Sequence, residues 1–138
     1  MSRKDTFHDI VRHALEKDGW TITHDPLLLF YELGKLYVDL GAEKFLAAER
    51  QNQKIAIEVK SFVQPSAISE FHKALGQYLT YRSLLQEQYP EHHLYLAVPT
   101  DAYASIFATK VVQKTINEQN LKLIIYQPNQ EAIAQWID

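Results

Sequence analysis

Glu58 and Lys60 stand two residues apart in Lys54-Ile55-Ala56-Ile57-Glu58-Val59-Lys60, a run whose alternation predicts a β-strand. Residues two apart in a strand share a face, so the carboxylate and the ammonium point the same way while Ile55, Ile57 and Val59 fill the other side. Upstream, Leu36-Tyr37-Val38-Asp39-Leu40 also alternates: Leu36, Val38 and Leu40 share one face, and Asp39 projects with Tyr37 from the other. Set side by side in suitable register, the two strands would bring two carboxylates and one ammonium to one spot.

Such a set suits hydrolysis of a phosphodiester. That reaction needs a metal ion to activate water and stabilise developing charge, and magnesium is typically held by one or two carboxylates, with waters and substrate oxygens completing its shell. Asp39 and Glu58 would supply the carboxylates, and the carbonyl of Val59 a third protein ligand. Lys60 would orient the attacking water and offset charge on the phosphate. Manganese accepts the same hard ligands. The plainer alternative is a structural ion pair of Lys60 with Glu58 or Asp39, because a carboxylate in an apolar central strand is costly unless it is paired.

Other residues carry weaker signals. Gln77 and Tyr81, four apart on one flank of a predicted helix near Glu70 and Ala74, are suitable donors to a phosphate or a metal-bound water; the alternative is a helix surface with one tyrosine half packed on the core. His8 borders the apolar stripe of the first helix in a comparable position, or is an ordinary capping or surface histidine. His92 and His93 are adjacent, and successive strand residues point to opposite faces, which argues against a shared metal. Trp20 and Trp136 read as core or interface aromatics. No Gly-rich phosphate loop and no serine or threonine in a nucleophile setting is present, so nucleotide hydrolysis and acyl transfer have no support.

The elements that must position these groups are set by periodicity. Residues 5–18 predict a helix with Phe7, Ile10, Val11, Ala14 and Leu15 on one face, Asp5 as cap and Gly19 as stop. Trp20 to His24 alternates as a strand and stops at Asp25-Pro26, and Leu27 to Tyr31 is either a short strand or a buried loop. Phe45 to Glu49 is expected to pair with the strand beginning at Lys54, across a polar turn at Arg50-Gln51-Asn52-Gln53. Pro65-Ser66 then introduces a long helix over 67–87, with Phe71, Leu75, Tyr78, Leu79 and Leu85 on its stripe. Leu94 to Val98 predicts a buried strand, 101–119 a helix, and Leu121 to Tyr126 a last strand ahead of a tail ending Trp136-Ile137-Asp138. The order is α-β-β-β-α-β-α-β. Crossing a sheet by way of a long helix requires part of it to be parallel, so the expected fold is α/β, a mixed central sheet flanked by helices.

Composition bounds the rest. With 138 residues, 46% of them hydrophobic and 22% charged, the chain reads as one domain over residues 1–138. The absence of cysteine excludes a disulfide framework, a thiolate zinc site and a cysteine nucleophile, so any metal must be held by oxygen or imidazole. No apolar signal core follows Met1 and no apolar run is long enough for a bilayer, from which a cytoplasmic protein without membrane contact is expected. A formal net charge of -3 leaves the chain without the broad basic field of autonomous DNA binders, so nucleic-acid binding should be local, metal-assisted or partner-assisted.

Four blocks carry a family resemblance: Thr21-Ile22-Thr23-His24-Asp25-Pro26, Val38-Asp39-Leu40-Gly41-Ala42-Glu43-Lys44, Ile57-Glu58-Val59-Lys60-Ser61-Phe62 and Ala74-Leu75-Gly76-Gln77-Tyr78. With them the chain resembles the XisH family, the fdxN element excision controlling factors of cyanobacteria, from Lys4-Asp5 to Gln135-Trp136-Ile137. The resemblance implies a role in programmed excision of a DNA element during heterocyst differentiation, beside an XisI-like companion protein and a site-specific recombinase. The family is in turn similar to the restriction-endonuclease-like PD-(D/E)XK superfamily, including archaeal Holliday-junction resolvases and RecB-type nucleases. That implies a restriction-endonuclease-like core, with Asp39 as the motif aspartate, Glu58 and Lys60 as the ExK pair, and Gln77 with Tyr81 as the QxxxY helix motif. Two departures stand out. Resolvase-like members carry a glutamate on the first helix where, counting back from Gly19, this chain has His8, and no proline precedes Asp39. The leading expectation is a magnesium- or manganese-dependent endonuclease-like protein acting on DNA; the alternative is a non-catalytic regulator using the same fold to bind the recombinase, the companion or DNA. A homodimer is expected as well, because cutting two strands takes two sites.

Overall fold

A computed structural model describes residues 3–138, with side chains from Thr6 onward. Helix α1 (Arg3–Lys17) begins ahead of the expected cap at Asp5, whose side chain lies outside the described residues. It buries Val11, Ala14 and Leu15. Its end is a Schellman motif: the Gly19 and Trp20 N–H groups donate to Glu16 and Leu15 O, both at 3.0 Å. Gly19 takes the required left-handed backbone at φ +91°.

Strands β1 (Thr21–His24), β2 (Leu27–Tyr31), β3 (Gly34–Val38), β4 (Leu40–Leu46) and β5 (Gln51–Val59) come next, then helix α2 (Ala67–Gln88). Ser66 caps α2, its Oγ accepting the Ser69 N–H at 3.3 Å. After it come β6 (His92–Pro99), α3 (Thr100–Ala104), a 3₁₀ turn (Ile106–Ala108), α4 (Lys110–Gln119), β7 (Leu123–Gln127) and β8 (Ala132–Ile137). Six strands form one mixed sheet in the order β1-β4-β5-β6-β7-β8, while β2 and β3 form a separate hairpin. β5–β6 and β6–β7 are parallel and the other pairs antiparallel. The parallel pairs are the ones joined through helices, as crossover geometry demands.

Both faces of the sheet are covered. Ala56, Leu94 and Leu96 point into a core shared with α2, α4 and the hairpin, whereas Ile55, Ile57, Val59, Tyr95 and Ala97 point into a second core under α1. Burial on both faces explains the nearly continuous apolar run of the central strands. Among the described residues no helix is long and apolar enough to cross a membrane.

Four expectations need correction. Leu36 to Leu40 is not one strand: β3 ends at Val38, the chain bends at Asp39, and β4 begins at Leu40. The alternation misled because Val38 serves the α2-side core and Leu40 the α1-side core. With this split, and with Leu27–Tyr31 a strand rather than a buried loop, five strands, not three, precede α2. The turn after β4 lies at 47–50, with Arg50 left-handed at φ 52°, and β5 already starts at Gln51, so the polar residues 51–53 are strand residues reaching beyond the core. The helix expected over 101–119 is broken by Ser105 and Thr109, whose hydroxyls donate to Asp101 O and Ile106 O at 2.7 Å each and compete with helix continuation. Finally, the tail is no tail: β8 pairs with β7 and sets the Trp136 ring 5.6 Å from Trp20 and 5.1 Å from Tyr95. Its half-exposed edge position hides it from a periodicity reading.

Candidate functional site

The bend that removes Asp39 from a strand is what delivers it to Glu58. β4 and β5 pair with Leu40 opposite Ile57, so the residue before Leu40 meets the residue after Ile57. The Asp39 N–H donates to Glu58 Oε1 at 3.2 Å, and the Val59 N–H donates to Asp39 Oδ2 at 2.8 Å. Lys60 lies just past the end of β5, with its backbone held on both sides. Its N–H donates to Ala97 O at 2.9 Å and its carbonyl accepts the Tyr126 hydroxyl at 2.8 Å. From there Lys60 Nζ comes within 3.5 Å of Glu58 Oε2. Asp39, Glu58 and Lys60 are therefore brought together, by the bend ahead of β4 and not by Asp39 sharing a strand face with Tyr37.

Glu58 is the buried charged side chain among the described residues, at 5% exposure. Burial pushes its carboxyl up to about 8, the neighbouring Asp39 charge adds to the rise, and the Lys60 ammonium opposes it. One lysine at 3.5 Å does not neutralise two carboxylates, so the plain ion pair that the sequence left open is present but incomplete.

A cleft of about 860 Å³ opens over this group, and Asp39, Glu58, Val59 and Lys60 line it. His8 is also on its wall, but its Nε2 is engaged with Asp25 Oδ1 at 2.7 Å, beside the Arg12–Asp25 ion pair at 2.5 Å. Gln77 and Tyr81 do not line the cleft. Tyr81 is buried behind it, and desolvation, then the charges of Glu58 and Asp39, raise its hydroxyl to about 12. Gln77 is half-buried one turn earlier, with its Oε1 buried and without a hydrogen-bond partner among the described residues. His92 and His93 diverge as expected, His93 exposed and His92 packed edge-on to His24 and Tyr89.

The sequence reading missed Lys73, a second cation on the cleft wall, together with Ser61, Gln64 and Ser69. Lys73 was findable, since it precedes Gln77 by four residues and Tyr81 by eight on the same flank of α2.

The donor set fits a hard divalent cation. Among the described residues no group of three or more His, Cys, Asp or Glu side chains is placed to hold a metal ion; the carboxylates of Asp39 and Glu58, which meet in the cleft, are oxygen donors of the kind hard cations take. A raised carboxyl beside a second carboxylate is also the condition that a bound cation relieves.

A family model described as XisH protein matches residues 1–134. Among solved structures, the chain is similar to the crystal structure of an XisH family protein from Nostoc punctiforme PCC 73102, with 46% identity, a TM-score of 0.87, and coverage of 97% of this chain and 100% of that one. It is similar also to the crystal structure of an fdxN element excision controlling factor protein from Anabaena variabilis, with 46% identity, a TM-score of 0.88, and coverage of 97% and 99%. No curated protein matches the sequence.

Proposed function

The chain belongs to the XisH family, and from that premise we propose that it is a metal-dependent, nuclease-like protein acting on DNA phosphodiesters in the excision of an fdxN-type element. The observation that carries this reading is the joined pair Asp39 and Glu58, half-neutralised by Lys60 at the floor of an open cleft. A mixed sheet in which the acidic pair stands at one end of a buried antiparallel-to-parallel junction supports a restriction-endonuclease-like core.

Asp39, Glu58 and the Val59 carbonyl would hold magnesium or manganese, which when bound would supply Lewis-acid activation of water and neutralise charge developing on the phosphate. The protein's own part is positional. Backbone N–H groups fix one oxygen of each carboxylate, which orients the pair at no entropic cost on binding. Lys60, with its main chain pinned by Ala97 and Tyr126, holds an ammonium where a scissile phosphate would carry charge. Lys73 extends positive charge along the cleft wall and offsets part of the phosphate repulsion expected at a net charge of -3. Tyr81 lies buried near enough to feel the charges of Glu58 and Asp39, and neither it nor Gln77 lines the cleft where DNA would sit. An XisI-like companion protein and a site-specific recombinase are the proposed partners.

A regulator without catalysis is the second reading, favoured by one observation: His8, where resolvase-like relatives carry a glutamate, is committed to Asp25. Labelled duplex, single-stranded and branched DNA, incubated with magnesium or manganese with and without the companion, separates the two. Cleavage by the wild type that Glu58→Ala and Lys60→Ala both abolish supports the nuclease. Excision in cells that both variants still support, with no cleavage in any condition, establishes the regulator instead.

A further inference from the structure

The hairpin of β2 and β3 is apolar on both faces, although only one of them packs on the core. Leu27, Leu29 and Val38 point inward and are fully buried. Opposite residues of an antiparallel pair share a face, and the register sets Phe30 across from Lys35 and Leu28 across from Tyr37 on the outward side. There Phe30 is 53% and Tyr37 52% exposed, and Leu33 at the turn is 87% exposed. A two-stranded sheet with one solvated face ordinarily alternates to polar residues on that face.

This face is held rigid. Gln88, at the end of α2, clamps Phe30 through both backbone groups, accepting its N–H at 2.9 Å and donating to its carbonyl at 2.8 Å. The clamp also occupies the β2 edge at Phe30, so an added strand would have to displace it there. None of these hairpin residues lines the cleft at Asp39.

We propose that the outward face of this hairpin is where a second copy of the chain docks, forming a two-fold dimer. A two-fold contact must be complementary to itself. This one carries an apolar centre and, at its tip, one residue of each sign, Glu32 and Lys35, both exposed; a two-fold arrangement sets Glu32 of each copy toward Lys35 of the other. Phe30, Leu33 and Tyr37 present roughly 350 Å² of apolar surface, under half of the ~800 Å² per partner of a standard interface, which suits a weak, reversible dimer. Lys35 and Leu28 lie on the same outward face, and Glu32 stands beside Leu33 at the tip.

Sedimentation velocity of the full chain between about 1 and 100 µM tests the surface. The wild type dimerises within that range, and Leu33→Glu, at an exposed site that leaves the fold intact, weakens the dimer at least tenfold. Glu32→Lys and Lys35→Glu each weaken it alone, because like charges then meet across the axis. Mixing these two variants restores a mixed dimer, since one copy then presents a pair of lysines to a pair of glutamates on the other. A wild type that stays monomeric throughout overturns the proposal, and so does a dimer indifferent to all three substitutions.

Discussion

Asp39 and Glu58 are cross-linked through backbone donors: the Val59 N–H donates to Asp39 Oδ2 at 2.8 Å while the Asp39 N–H donates to Glu58 Oε1 at 3.2 Å. Two carboxylates are thereby held together by backbone donors, in a place where burial and the neighbouring Asp39 charge disfavour the ionised form of Glu58. The arrangement is costly as a structural device and useful as a cation site, and the predictions at the cleft rest on that tension.

Glu58 should make stability fall with rising pH. Its folded carboxyl titrates near 8 and its unfolded one near 4.5. Below 4.5 both are protonated and no penalty exists; between 4.5 and 8 only the unfolded chain ionises, so stability declines; above 8 the loss is complete. Glu58→Gln removes this slope and gains on the order of 4 kcal/mol at pH 8 with nothing gained at pH 4. Urea denaturation at several pH values reads it, and parallel pH curves for the two proteins would refute it. Added magnesium should stabilise the wild type more at pH 8 than at pH 5, and Glu58→Gln at neither.

Lys60→Met removes the ammonium that opposes the rise at Glu58. The carboxyl should move further up, which carbon NMR of the labelled side chain can follow, while thermal stability changes by less than about 1 kcal/mol. DNA cleavage, if measured against Lys60→Arg, should drop about a hundredfold. An unchanged Glu58 titration would mean that the contact at 3.5 Å carries no charge coupling.

Tyr78 ties two strands together from α2. Its hydroxyl donates to Leu94 O at 2.8 Å and accepts the Lys122 N–H at 3.1 Å, and burial raises its titration. Tyr78→Phe leaves the Leu94 carbonyl in β6 and the Lys122 N–H just ahead of β7 without that partner at unchanged packing volume, a loss of about 1–3 kcal/mol. Chemical denaturation would show it; a change under 0.5 kcal/mol, about the size of an ordinary surface substitution, would mean that water replaces the hydroxyl without cost.

Gln88→Ala frees the hairpin locally. The Phe30 amide, now held by Gln88 Oε1 at 2.9 Å, should lose protection from hydrogen exchange, while amides of β5 and β6 keep theirs. Global stability should drop by about 1 kcal/mol. If the hairpin face binds a second copy, dimerisation should weaken in this variant as well, because the face is no longer presented rigidly.

Much of this was legible along the chain. The stripe of Phe71, Tyr78 and Leu85 marks α2 nearly to its ends, and Gly19 marks the end of α1, because helical periodicity and a left-handed stop are local properties of the backbone. Likewise the opposite facing of Ile57 and Glu58 is a matter of strand geometry alone, and so is the pairing of Glu58 with Lys60 on one face.

Partners chosen at long range were beyond the reach of local pattern. The run around Asp39 alternates whether it forms one strand or two, and only the β4–β5 register decides that the bend delivers its carboxylate to Glu58. β8 becomes a strand because β7 offers it an edge, and the β2–β3 hairpin leaves the sheet because its inner residues are claimed by the α2-side core. Residue types, periodicities and the presence of an acidic pair with a lysine were thus set by the chain itself, since each depends on neighbours a few residues away. Their convergence, the depth at which Glu58 is buried and the arrival of Lys73 at the cleft were decided by packing between segments far apart in sequence, where burial and hydrogen-bond satisfaction select one register from many.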